Sequence, residues 1–159
     1  MRKAINNSIF ALLTIFSVLV LANMAQAQPD WARRGRYTRG DVDQLIKRVE
    51  DRTDRFVKQF DRALDNSRLN GSQREDNLNQ RARDLEAATD ELRREFNGNR
   101  NWWETRSNAQ KCLSVAADIN AAMRNRRFNR ATENNWKNLR QELNALARAY
   151  DLPAMGAYR

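Results

Sequence analysis

Ser107 and Lys111 stand one helical turn apart, the spacing at which a lysine amine can take a proton from a hydroxyl nucleophile. One turn is an everyday spacing, however, and no glycine-rich loop follows that would form an oxyanion hole. Cys112 is the only cysteine and the chain has no histidine. The commonest general base and metal ligand is therefore missing, and no internal disulfide can form. Bundles that hold metals use inward glutamates and Glu-x-x-His steps, and haem attachment uses C-x-x-C-H. Neither pattern occurs, so no catalytic residue, metal or other cofactor is expected, and the chain reads as non-enzymatic.

What remains is arginine. One cluster, Arg33, Arg34, Arg36 and Arg39, lies beside Trp31 and Tyr37 in "QPDWARRGRYTRG". A second, Arg124, Arg126, Arg127 and Arg130, lies in "RNRRFNR". Guanidinium forks match phosphate and carboxylate oxygens, and interleaved aromatics add stacking or an interfacial foothold. These eight residues are the candidate polyanion-binding set, the alternative being a flexible linker and a solvated turn. The charge distribution favours neither of the first two helices: residues 28–40 carry +3, 41–69 carry 0 and 70–100 carry −1. Trp102 and Trp103 are a further pair. Neighbours on a helix diverge by about 100°, so Trp103 is expected off the seam, covering the bundle end or offering an exposed contact.

The start of the chain sets the compartment. Arg2 and Lys3 precede a largely apolar run over residues 9–22, and Ala25-Gln26-Ala27 gives the small-x-small pattern of a signal-peptidase site. The run is shorter than the roughly 20 residues a membrane span needs. Residues 1–27 are thus expected to be a cleaved signal peptide, with a mature protein starting at Gln28 in the periplasm or medium. The mature part holds 27 Lys and Arg against 20 Asp and Glu, or +7. In that compartment a basic protein meets acidic envelope polymers and lipid head groups. No sequence-specific nucleic acid, no small-molecule substrate and no particular oligomeric state is indicated.

Elements that would position these residues follow from one spacing. Apolar and small residues recur every three or four positions in four runs. The runs are Ile46, Val49, Thr53, Phe56 and Phe60; Leu78, Ala82, Leu85, Thr89, Leu92 and Phe96; Trp102, Thr105, Ala109, Cys112, Ala116, Ile119 and Met123; and Trp136, Leu139, Leu143, Leu146 and Tyr150. Asn70-Gly71 and Asn97-Gly98 are turn dipeptides. Ser72 with Glu75 makes a capping box, Asn101 with Glu104 a second, and Asp41 with Gln44 a looser one. Asn129 is placed to cap the fourth helix, and Pro153 to stop it.

Short connections make sequential helices antiparallel neighbours. The fold class is therefore all-α: an antiparallel up-down four-helix bundle after a cleaved signal peptide. Residues 28–40 are a basic, aromatic flexible segment, 41–153 the bundle and 154–159 a C-terminal tail. The register sets Phe60 opposite Ala82 and Cys112 opposite Leu143, with Cys112 a buried small residue. Acids such as Asp51 and Asp90 sit four positions before Arg55 and Arg94, the pattern of solvated helix faces.

At "EDRTDRF", "SRLNGSQREDNLN", "EAATDELRREF" and "LARAYDLP" the chain resembles a group of uncharacterised exported proteins of soil and other environmental bacteria, over most of residues 41–153. That resemblance implies no activity and no site residue. Small periplasmic chaperones of the stress response are likewise basic, helical and exported, but their LTxxQ motif is missing from the mature chain. The expected function is a non-enzymatic envelope protein contacting acidic polymers or an anionic membrane surface. The alternative is a periplasmic chaperone-like or stress-sensor accessory protein.

Overall fold

The computed structural model describes residues 36–125 and 128–156. The signal-peptide assignment, Trp31, Arg33, Arg34, Arg126 and Arg127 lie outside the described residues. Among the described residues the secondary structure is entirely helical: α1 (Arg39–Asp65), α2 (Gln73–Gly98), a 3₁₀ turn (Trp102–Thr105), α3 (Arg106–Asn125) and α4 (Arg130–Ala149). None of these helices is long and apolar enough to cross a membrane.

Helix α1 packs against α2 and α4, and α2 also packs against α3. The pairs run antiparallel, as an up-down bundle requires. Arg93 of α2 bonds Asp43 and Glu50 of α1, Lys111 of α3 pairs with Glu91 of α2, and Arg48 and Arg52 of α1 share Glu142 of α4. With Arg55 donating to the Asp51 main-chain oxygen, these cross-helix pairs, rather than the i,i+4 pairs read from the sequence, carry much of the charge pairing.

Nearly every seam residue is buried, because the 3–4 spacing lays one apolar stripe along each helix. Leu78 and Trp102 are only half-buried, and Glu75 is buried instead at the first turn of α2. Phe56 stacks on Phe60 at 5.0 Å and meets Trp136 of α4 at 5.1 Å, while Phe60 reaches Phe128 at 5.2 Å. The Trp136 indole donates to Asn120 of α3 at 3.1 Å, so one large side chain joins three helices.

Helices α3 and α4 approach each other less closely than the other adjacent pairs. Cys112 is buried as expected, and its thiol donates to the Ala88 carbonyl of α2 at 3.1 Å. Residues 152–156 run back along α3 and α4 rather than trailing off as a tail. Asn144 both donates to the Met155 carbonyl and accepts from its N–H, and Asn120 and Arg140 donate to the Gly156 carbonyl.

The helix ends follow cap chemistry. Thr38, not Asp41, is the N-cap of α1; Thr38 and Asp41 form a reciprocal capping box, with bonds of 3.1 and 2.8 Å. Arg39 and Gly40 are thereby helical, not part of a flexible segment. Ser72 caps α2 as expected, but Glu75 reaches Gly71 N–H at 2.6 Å rather than the cap residue, and tightens a turn in which Gly71 has φ 75°. Asn129 caps α4 through Thr132 N–H at 2.9 Å. The end of α4 is set two residues ahead of Pro153: Asp151 adopts φ 51°, and Leu152 N–H bonds the Ala147 carbonyl at 2.8 Å.

Candidate functional site

The described arginines of the two clusters sit at opposite ends of the bundle. Arg36 and Arg39 lie where α1 begins, whereas Arg124 and Arg130 flank the connection from α3 to α4, near the end of α1. The described arginines of the two clusters therefore do not form one patch.

Arg39 is already engaged. Its guanidinium donates to the Phe96 and Asn99 carbonyls at 2.7 Å each and to Arg100 at 3.4 Å, and its fork lies 4.3 Å over the Phe96 ring. The last turn of α2 has no basic residue of its own, so Arg39 supplies the cation that a helix C-terminus favours. Arg106 does the same at the end of α4, donating to Tyr150 and Asp151 carbonyls at 3.0 and 3.1 Å. Arg36 is exposed and lines a shallow hollow that also contains Asp41. Tyr37 is half-buried against the core. Arg124 and Arg130 are exposed, in the last turn of α3 and at the first position of α4.

The other chemical candidates resolve into packing. Lys111 is paired with Glu91, which sits below the ordinary carboxylate range through that lysine's hydrogen bond and charge. The amine is thus engaged by that carboxylate rather than offered to Ser107. Cys112 is fully buried, and burial pushes its thiol from 9.0 to about 12. Trp103 lies over the bundle end, 6.2 Å from Tyr150 and 5.4 Å from Trp102, with Arg106 at 6.0 Å. Tyr150 is buried beneath them, its hydroxyl 2.7 Å from that of Thr105 and its pKa raised to about 12 by burial. Among the described residues no cluster of His, Cys, Asp and Glu could hold a metal ion.

A more definite cationic site lies elsewhere, between α1 and α4 near the Asn129 cap. Here a cleft of about 690 Å³ is lined by Arg55, Lys58, Gln59, Arg62 and Ala63 of α1, by Asn66, and by Asn129, Ala131 and Asn135. Three cations and four primary amides face it, and no carboxylate does. A second hollow of about 560 Å³ shares Ala63, Asn66 and Asn129 and adds Arg68, Ser67, Leu69 and Phe128. Arg55, Lys58, Arg62 and Arg68 are exposed, and among the described residues none makes an ion pair. Glu86 is held above the ordinary carboxylate range by partial burial and then by Asp54 and Asp90, with Lys58 pulling it back. The N-terminus of α4 opens on the same cleft and adds the positive end of its dipole.

Arg130 stands between the lining residues Asn129 and Ala131, so the second cluster borders this cleft in sequence. Arg55, Lys58 and Arg62 were legible only as a charged helix face, because acids alternate with them along the chain. In comparisons with known proteins, no family model, no curated protein and no solved structure matches the chain.

Proposed function

We propose that this chain is a non-enzymatic, exported helical-bundle protein of the cell envelope that contacts acidic polymers or an anionic membrane surface. The observation that carries the reading is the cleft at Arg55, Lys58 and Arg62, which no carboxylate lines and whose cations make no ion pair among the described residues, whereas Arg48 and Arg52 earlier on α1 share Glu142. Near an anionic surface each such cation contributes about 1 kcal/mol, an effect that fades over a Debye length of roughly 8 Å at physiological salt. Contact of this kind is weak singly, additive over several arginines and sensitive to salt.

Two measurements test it. Intact mass of the natively produced protein should give a chain starting at Gln28; retention of Met1 in the membrane removes the assignment of a cleaved protein free in the periplasm or medium. Heparin and phosphatidylglycerol vesicles should both retain the mature protein at low salt and release it as salt rises. Absence of binding to either at low salt refutes the proposal.

A further inference from the structure

We infer that the cleft between α1 and α4 is a binding site for an acidic glycan, a chain of sugars carrying acid groups among its hydroxyls. The inference rests on the polyanion reading above and names the ligand class for one site. Arg55, Lys58 and Arg62 follow one another at three- and four-residue steps along α1. At 1.5 Å per residue this ladder of charge is roughly 10 Å long. It suits several acid groups on one strand better than a single ion.

The amides set the rest of the chemistry. Asn66 donates its Nδ2 to the Arg62 carbonyl at 2.7 Å, which leaves its Oδ1 as an acceptor. Asn129 has its Oδ1 taken by Thr132, which leaves its amide hydrogens as donors. Asn135 completes the α4 wall. Donors and acceptors side by side pair with hydroxyls, which both give and accept hydrogen bonds.

The same lining argues against the two other polyanions. Binding of single-stranded nucleic acid rests on aromatic platforms for the bases, and no aromatic lines this cleft. Phe128, in the neighbouring hollow, has its ring against Phe60. A flat bilayer attracts cations alone, whereas four primary amides line this open cleft beside its three cations.

The test uses the mature protein, size-defined oligogalacturonate as the acidic glycan, dextran as its neutral counterpart, and phosphatidylglycerol vesicles. The first variant is Arg55→Gln/Lys58→Gln/Arg62→Gln; the second, Asn135→Asp, places a carboxylate in the cleft. All four positions are away from the buried core, so thermal midpoints should stay near wild type and report folding independently. Oligogalacturonate affinity should fall about tenfold in each variant, as loss or opposition of a few screened charge contacts implies. Vesicle binding should fall in the triple variant, which loses three cations, but change much less in Asn135→Asp, which alters only the cleft. Dextran should not bind. The inference is overturned if folded variants bind oligogalacturonate as wild type does, if vesicle binding of Asn135→Asp falls in parallel with its oligogalacturonate binding, or if wild type binds dextran equally well. In each of those cases vesicle or heparin binding by wild type leaves the broader polyanion reading standing. Failure of wild type to bind any polyanion removes both.

Discussion

Replacing Arg39 by alanine separates a structural arginine from a binding one. Its guanidinium makes two hydrogen bonds of 2.7 Å to carbonyls at the end of α2 and lies 4.3 Å over Phe96. Hydrogen bonds to charged groups contribute about 1.5–3 kcal/mol each, but this side chain is half-exposed, so roughly 1 kcal/mol apiece is appropriate. Stacking on the ring adds about 0.5–1 kcal/mol. Against this, removing a cation from the first turn of α1 relieves its dipole by about 0.5 kcal/mol. The net loss is about 2 kcal/mol, which for a domain of this size lowers the thermal midpoint by about 8 °C. Arg39→Lys keeps the charge but loses the fork, and should fall between alanine and wild type. Arg36→Ala, at an exposed position without such bonds, should stay within about 0.5 kcal/mol of wild type. Urea unfolding followed by circular dichroism measures all three. If Arg39→Ala matches Arg36→Ala, the cap on α2 contributes nothing and the reasoning fails.

Other outcomes follow from the core and the helix ends. Phe60→Ala removes a fully buried ring packed on Phe56 and Phe128 and should lose about 3–5 kcal/mol in denaturant unfolding; a shift under 1 kcal/mol would place the ring outside the core. Asp151→Gly should gain about 1 kcal/mol, because φ 51° is free to glycine and an acid at a helix C-terminus opposes the dipole; a lowered midpoint contradicts this. Cys112 and Tyr150 are both raised to about 12 by burial, from 9.0 and 10.0. The unfolded chain releases these protons first, so stability is intact below pH 9 and declines through pH 12, at about 1.4 kcal/mol per pH unit for each group. Cys112→Ala should move the onset of alkaline unfolding up by about one pH unit toward the tyrosine's range, and an unchanged onset would show that the thiol is not the first group to yield.

The bundle was legible because its signals are local. Asn70-Gly71, Ser72 and Asn129 mark turns and caps by their own chemistry, and Phe56, Phe60, Leu85, Leu92 and Leu143 mark the core by spacing. Contacts across helices were not legible. Nothing local to Arg39 announces carbonyls about sixty residues away, and nothing local to Cys112 says that its thiol will bond the Ala88 carbonyl. Thr38 was hidden as a cap by the basic run around it. The cleft was missed for a different reason. Net charge over residues 41–69 is zero, yet charge on a helix is distributed by angle. At about 100° per residue, Arg55 and Arg62 share one direction while Asp54 and Asp61 point roughly 100° away. Summation along the chain cancels what the helix separates.

Arg39 and Arg106 fasten the two hairpins in the same way, each from the beginning of one helix to the end of the next. Closure is therefore secured at the end of the bundle remote from the reversals that join α1 to α2 and α3 to α4. A hairpin held at its open end asks little of its turn. Lengthening a flexible connection adds only about 0.6 kcal/mol of closure entropy per doubling, and the clasp does not move when the turn grows. The reversal between α3 and α4, next to the cationic cleft, is thus the place where this fold can take on added residues, and with them new surface, while its frame stays unchanged.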